Sequence, residues 1–366
     1  MNAVARLAAA AALGIAALAL AGCELGAKRS QQTGYRGAGL QQVVDVSAIR
    51  EASAIPAPPY ALPDDTGPRA SEVYQNVQVL GNVSAERFNH LMAQMNQWIA
   101  PAEQGCNYCH NPENMASDEK YTKVVARRML QMTRTINTRW ASHVQQTGVT
   151  CYTCHRGNAV PEYKWAVAEG TTPPDTILNN RHGQNTPNLN VGYASLPYDP
   201  FAQYLAGRAN IRVAGSSPYP SPDHVVSIKA AEQSYGLMMH ISSALGVNCT
   251  YCHNSQSFRA WDLSRAQRAT AYYGIRMTRD INEQYISSLQ SVFPPNRKGP
   301  HGDPYKVNCT TCHQGVSKPL GGVSMLAQSP TLRGTPAAVA PAEGGSAASR
   351  RVPDAFARPA TMTDNK

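Results

Sequence analysis

The chain has 366 residues, which is enough for two domains or one large one. Only 42% of the residues are hydrophobic and 7% are aromatic, while glycine and proline number 27 and 26. This composition excludes a large core built from apolar side chains alone, so either much of the chain is irregular or another group fills the interior.

The N-terminus predicts an export signal of the bacterial lipoprotein type. An apolar run at residues 7–21 follows a short segment with one positive charge. The run is shorter than the roughly 20 apolar residues that a membrane-spanning helix needs. It ends in a Leu-Ala-Gly-Cys sequence that looks like a lipobox, so we expect residues 1–22 to be a signal peptide and Cys23 to be lipidated. The alternative is an uncleaved signal anchor, and no other segment is apolar enough to span a bilayer.

Four helices are predicted from capping residues, apolar stripes and helix-ending Gly or Pro. Ser84 caps the first, whose apolar residues fall on one stripe until Pro101. The predicted bounds are Ser84 to Pro101, Ser117 to Val144, Ser221 to Gly246 and Ser264 to Pro294.

Cysteine usage carries the strongest functional signal. Of nine cysteines, Cys23 is one and the other eight form four Cys-x-x-Cys-His motifs, here numbered one to four in chain order. The pairs are Cys106 and Cys109, Cys151 and Cys154, Cys249 and Cys252, and Cys309 and Cys312. Two thiols at this spacing add to the two vinyl groups of one haem, and the adjacent His reaches the iron. Zinc sites or disulfides are the alternatives, but neither explains a His directly after every pair. The motifs therefore predict four covalent c-type haems, with His110, His155, His253 and His313 as iron ligands.

Covalent haem changes the interpretation of the formal charge of +9, which at first suggests a polyanionic partner. Loss of Arg6 with the signal peptide leaves +8, and four haems add about eight propionates. The mature protein would be near neutral, so nucleic-acid binding is not implied.

An internal repeat predicts two halves, because residues 132–137 resemble residues 277–282. We expect a mainly α-helical multihaem cytochrome in which two pseudo-twofold-related halves surround four haems, with long irregular connections. The expected divisions are a signal peptide (1–22), an irregular N-terminal segment (23–80), a first dihaem half (81–160), a connector (161–220), a second dihaem half (221–320) and a disordered Ala/Pro/Gly-rich tail (321–366).

Methionines on the helices ahead of the motifs are candidates for the sixth iron ligand. In the first helix the choice is Met92 or Met95, and the match of Leu91-Met92 with Leu237-Met238 in the other half favours Met92. The same match favours Met238 in the third helix.

The second and fourth helices differ at the ligand position. Alignment of the repeat places Met129 opposite Gly274, so haem two can take Met129 whereas haem four has no equivalent. His143 lies 14 residues after Met129 (143 − 129), about four turns along roughly the same helix face. We infer that His143 crosses to the other half and binds the iron of the haem at Cys309 and Cys312.

The chain resembles the tetrahaem cytochrome subunit of the purple-bacterial photosynthetic reaction centre. The likeness spans Asn82 to about Leu320 and includes the runs at 121–129, 148–157 and 312–320. It implies His–Met ligation of three haems and bis-His ligation of the fourth, and the positions that match the family's distal ligands are Met92, Met129, Met238 and His143. Gln104 is an extra residue relative to the family pattern.

The resemblance also implies the function and partners. Electrons would pass from a soluble cytochrome c or high-potential iron–sulfur protein to the photo-oxidised bacteriochlorophyll pair held by L/M-type subunits. The chain would be lipid-anchored on the periplasmic side of the membrane and have no catalytic site of its own. The alternatives are a multihaem reductase with an open fourth haem and a conduit to an extracellular acceptor.

Overall fold

The computed structural model describes residues 27–32, 41–167, 188–213 and 227–334, and within them the chain is mainly helical with irregular connections. This confirms the predicted helical class. Strands β1 (Lys28–Gln32) and β2 (Gln41–Asp45) pair antiparallel, and helix α1 (Val46–Ala52) follows directly. The expectation of an irregular segment at 23–80 is therefore wrong for this part.

In the described range 41–167, five α-helices follow α1 up to the end of motif two. They are α2 (Ala70–Val73), α3 (Ala85–Ile99), α4 (Tyr121–Arg139), α5 (Ala141–Val144) and α6 (Cys151–His155). Helix α3 begins as predicted, because the Ser84 hydroxyl accepts a hydrogen bond from the Arg87 amide at 3.4 Å.

The second predicted helix is broken rather than continuous. Ser117 uses its hydroxyl in a turn with the Glu119 amide, and α4 starts only at Tyr121. At the other end, Trp140 leaves the helical conformation with φ −107° and ψ 25°. Its indole nitrogen donates to the Asp280 carboxylate at 3.0 Å, and this tertiary bond at the break sets the direction of α5, which carries His143.

The helices that follow the connector are α7 (Ile228–Leu245), α8 (Ala266–Asp280) and α9 (Cys309–His313). Helix α7 begins after Ser227, whose hydroxyl accepts from the Ala230 amide. The predicted start at Ser221 lies outside the described residues. Helix α7 ends as predicted at Gly246, which has a φ of +62°.

The fourth predicted helix changes its winding before it ends. Helix α8 starts two residues after Ser264 and continues into a π-helical stretch at Ile281–Ile286 and a 3-10 turn at Ser287–Leu289. Boundary differences of this size are ordinary.

The segment after motif four returns to pack on α3 and α4. Met325, Leu326 and Leu332 are buried with Trp98, and Asn137 donates to the Leu332 carbonyl at 2.8 Å. The prediction of a disordered tail at 321–366 is therefore wrong for residues 321–334, and the remainder lies outside the described residues.

The connector supplies core residues as well as irregular chain. Within its described part, Phe201, Tyr204 and Leu205 are almost fully buried and pack with Leu237 and Ile275. The connector therefore contributes core residues beside α7 and α8, a role that the sequence analysis did not predict.

Direct contacts join α4 to the stretch after α8. Arg128 donates to the Gln284 carbonyl at 2.6 Å and lies over the Tyr285 ring, whose hydroxyl bonds Thr135 at 2.8 Å. Among the helices in the described ranges, none is long and apolar enough to cross a membrane.

Candidate haem-binding sites

The four motifs adopt two local conformations that alternate along the chain. Motifs one and three form 3-10 turns at Gly105–Tyr108 and Cys249–Tyr251. Motifs two and four form the short helices α6 and α9, each with a reciprocal capping box, from Thr150 and Asn308 respectively. In all four, the helical turn places the i and i+3 cysteines on the same side of the backbone, as attachment to one haem requires.

Five histidines share one hydrogen-bonding arrangement. In each, Nδ1 lies 2.9–3.0 Å from a backbone carbonyl oxygen. The pairs are His110 with Met115, His143 with Thr270, His155 with Asn158, His253 with Phe258, and His313 with Val316. Such a bond favours the proton on Nδ1 and leaves Nε2 able to accept a metal ion. Buried His90 differs, because its Nε2 contacts the Tyr60 carbonyl at 3.1 Å.

His143 reaches motif four as the sequence predicts. Its ring centroid lies 6.1 Å from that of His313, with an interplanar angle of 69°. Two metal–nitrogen bonds of about 2 Å and two ring radii of about 1.2 Å span roughly the same distance. The pair therefore fits an iron held between two imidazoles.

Gly274 makes room for this histidine. A Cβ atom at Gly274 would lie 2.5 Å from Cε1 of His143, and the ring is held there by the Thr270 carbonyl on the same helix. Glycine in place of methionine at position 274 is thus a requirement of the site, because any side chain there would displace the His143 imidazole.

A cavity of about 740 Å³ connects motifs one and two. Its wall includes both motif histidines, His110 and His155, together with the candidate ligands Met92 and Met129. Met95 lines the same cavity, so the choice between Met92 and Met95 stays a prediction. Cys312 of motif four also reaches this wall, and the size suits a large apolar cofactor.

Met238 lies outside that cavity. It is partly buried on α7 and packs with the cluster that contains Trp165 and Phe201. Helix α7 ends at Gly246, shortly before the 3-10 turn of motif three, and the role of Met238 at that motif stays a prediction.

Burial keeps several of the motif histidines and cysteines uncharged. It lowers the pKa of His143 and His155, and burial together with the neighbouring His143 lowers that of His313 to about 4. Burial likewise raises the pKa of Cys151 and Cys309 to about 12. The imidazoles are therefore neutral, as metal ligation needs, and these thiols stay protonated.

Motifs two and four touch. The sulfur atoms of Cys154 and Cys312 are 2.9 Å apart, and this thiol contact, with burial, raises the pKa of Cys154. None of the eight motif cysteines, all of which lie in the described ranges, forms a disulfide. Among the described residues, no three His, Cys, Asp or Glu side chains converge on one point, as a zinc site would require.

Paired thiols, an adjacent histidine with a fixed tautomer and buried apolar space define a c-type cytochrome that carries haem c. The chain belongs to the family described as photosynthetic reaction centre cytochrome C subunit, whose profile matches residues 24–333. Three relatives bear the name photosynthetic reaction center cytochrome c subunit. The one from Rubrivivax gelatinosus is 50% identical over 327 residues, covering 89% of each chain. Those from Thermochromatium tepidum and Roseobacter denitrificans are 45% and 39% identical, covering 93% and 85% of this chain and 84% and 87% of their own.

The sequence alone missed two features of the site. One is the carbonyl of Thr270, and the other is the steric need for Gly274. The Met129/Gly274 mismatch in the repeat was the available signal for the second. Cys23, the predicted lipidation site, lies outside the described residues.

Proposed function

We propose that the chain carries electrons from a soluble periplasmic donor to the photo-oxidised bacteriochlorophyll pair of a reaction centre, through four covalently bound haems. Family membership supports the reaction-centre role. The observation that carries the site assignment is the His143–His313 pair beside Gly274. Bound haem supplies one-electron redox chemistry, and the chain supplies attachment, axial ligands and electrostatic environment.

The proposed attachment sites are the eight motif cysteines, with the adjacent histidine of each motif on the iron. The proposed sixth ligands are Met92 for haem one, Met129 for haem two, Met238 for haem three and His143 for haem four. Two arrangements support a repeat of two halves. Motifs one and three share 3-10 turns followed by an isolated bridge, and motifs two and four share capped short helices.

Electron transfer is favoured over catalysis at an open haem. A reductase would need one iron with a free position, and haem four is the only candidate because its own half has Gly274 in place of a methionine. His143 lies against Gly274 and faces His313, and this arrangement supports two protein ligands on the iron of haem four. A high-spin absorption signal from the purified protein would favour the reductase.

The proposed order of haems is one, two, four, three. Contact between Cys154 and Cys312 supports haems two and four as inner neighbours. Haems one and three are then the two ends of the chain of haems.

The N-terminal segment supports haem three as the end nearest the membrane. Gln42 donates to the Gly246 carbonyl at 2.9 Å and accepts from the Asn248 amide at 2.6 Å, directly before motif three. If Cys23 carries lipid, the chain that leads from the anchor arrives beside haem three. We therefore propose a lipid-anchored subunit on the periplasmic side of the photosynthetic membrane, against L/M-type subunits. A soluble cytochrome c or high-potential iron–sulfur protein would donate at the haem-one end.

The intact mass of the purified subunit tests the proposal directly. It should exceed the mature polypeptide by four haem masses, and a variant with Cys309 and Cys312 replaced by Ser should carry three. Co-purification with bacteriochlorophyll-containing subunits separates a reaction-centre donor from a conduit to an extracellular acceptor. A wild-type mass with three haems or fewer would contradict the assignment.

A further inference from the structure

Arg156 follows the last residue of motif two and folds back over the motif. Its Nη1 donates to the Ala52 carbonyl at 3.0 Å and its Nε to the Thr153 carbonyl at 3.4 Å. The guanidinium carbon lies 5.5 Å from the centroid of the Tyr152 ring. These contacts from α1, α6 and an aromatic face fix the cation in one place.

The Arg156 guanidinium has only part of its hydrogen-bonding capacity used there. Its Nη2 is buried and has no hydrogen-bond partner. Within the part of the chain that the structure describes, no carboxylate forms an ion pair with Arg156. A buried donor without a partner is unfavourable and calls for a physical explanation.

The position of the charge offers that explanation. Motif two touches motif four through Cys154 and Cys312, and the Arg156 side chain, two residues after Cys154, folds back onto the Thr153 carbonyl of motif two. In a poorly solvated setting a fixed charge acts over a longer range than in water. Arg156 therefore lies at the junction of the segments that attach haems two and four.

The repeat shows that the backbone does not need an arginine here. The equivalent residue after motif four is Gln314, and both residues are left-handed, with φ and ψ of 51° and 37° for Arg156 and 49° and 47° for Gln314. The first half therefore carries a charge that the second half lacks at the same backbone position.

We propose that Arg156 tunes the inner haems, raising the reduction potential of haem two most and that of haem four less. Reduction of ferric to ferrous iron adds one electron and lowers the local charge by one, so a nearby fixed cation favours the reduced form. The inference rests on the proposed attachment of haem two at Cys151 and Cys154.

The test is an equilibrium redox titration of the intact reaction-centre complex, with each haem followed by its absorption band. Arg156→Gln should lower the reduction equilibrium constant of haem two about tenfold, which is 59 mV for a one-electron couple, and shift haem four less. Arg156→Lys keeps the charge and should stay close to wild type. Gln314→Arg, alone or combined with Arg156→Gln, should raise the potential of haem four.

Several results would overturn the inference. One is that Arg156→Gln, with all four haems attached, has unchanged reduction potentials. Another is that all four potentials shift equally, which would indicate a general loss of structure rather than a local charge effect. If Arg156→Gln does not assemble, the Gln314→Arg variant decides instead. An unchanged reduction potential of haem four in that variant would overturn the inference. Intact mass separates this failure from that of the proposed function, because a wild-type subunit without haem at Cys151 and Cys154 removes the assignment itself.

Discussion

The imidazole of His143 lies in the space that a side chain at Gly274 would occupy. A Cβ atom built on Gly274 is 2.5 Å from Cε1, 2.8 Å from Nδ1 and 3.1 Å from Nε2 of the ring. Two residues that are 131 positions apart (274 − 143) thus form one site across the two repeats. The loss of a methionine in one helix and the gain of a histidine in the other are parts of the same arrangement.

Gly274→Ala should displace His143 from the iron of haem four. The added methyl group cannot be accommodated without movement of the ring or of α8, and overpacking of this kind costs about 1–3 kcal/mol. We expect lower thermal stability and loss of the low-spin bis-His signal in electron paramagnetic resonance spectra.

A His143→Ala background provides the matched control for this substitution. With the ring removed, Gly274→Ala meets no clash at that position and should stabilise α8 by up to about 1 kcal/mol through helix propensity. An equal destabilisation in both backgrounds would show that the clash with His143 is not the cause.

His143→Met should raise the potential of the Cys309/Cys312 haem and leave the other three nearly unchanged. Methionine favours ferrous iron relative to imidazole, and a shift of at least tenfold, about 59 mV, is expected. Redox titration of the complex measures it, with Met132→Leu as a control. If a different haem responds, the assignment of His143 across the two halves is wrong.

The repeat was enough to place His143 near motif four, because a missing ligand in one half and an extra histidine in the other are both visible in the sequence. The break at Trp140 was not predictable, since it depends on a tertiary bond to Asp280. The packing of Met325 and Leu332 was also missed. Short segments rich in glycine and proline bury their apolar residues through long-range contacts that leave no periodic signal.

Lys306, which is buried, forms an ion pair with the partly buried Asp303 just before motif four. Lys306 also lies over the Trp165 ring, at 5.2 Å, and the backbones of Trp165 and Lys306 pair as an isolated bridge. Burial alone would raise the pKa of Asp303, but the bonds from Lys306 and the Val167 amide hold it below the usual range. The pair therefore joins the connector to the segment that carries motif four.

Lys306→Met should cost about 1–3 kcal/mol of unfolding free energy, because it leaves the partly buried Asp303 carboxylate without its cation. Combining it with Asp303→Asn should recover much of the loss. Since the folded pKa of Asp303 is lowered, wild type keeps this stabilisation above the unfolded value of 3.8 and loses it as pH falls through the folded value. Denaturant unfolding at neutral pH measures the stability cost of the substitutions. The same experiment below pH 3.8 measures how much of the wild-type stabilisation is lost when Asp303 is protonated. A double variant no more stable than the single one would contradict the pairing.

Cys23 should be the lipidated first residue of the mature protein. The Leu-Ala-Gly-Cys sequence after an apolar run predicts it, and two acyl chains would anchor the protein stably beside a membrane partner. Mass spectrometry of the N-terminal peptide should find acylated Cys23, and Cys23→Ser should abolish that acylation. A mature protein that starts at an unmodified Met1 would refute the prediction.

The haem order predicts which methionine controls the first electron transfer to the pigment. The His143–His313 pair and the Cys154–Cys312 contact favour haems two and four as inner neighbours, which leaves Met92 and Met238 at opposite ends. Electron transfer between close haems tolerates one low-potential member, because a short uphill step is followed by a downhill one. In membranes poised so that only the high-potential haems are reduced, flash spectroscopy should show that Met238→His lowers the potential of the haem that re-reduces the pigment first. Met92→His is the matched control at the other end and should leave that step unchanged. If Met92→His alters the first step and Met238→His does not, the chain of haems is oriented the other way round.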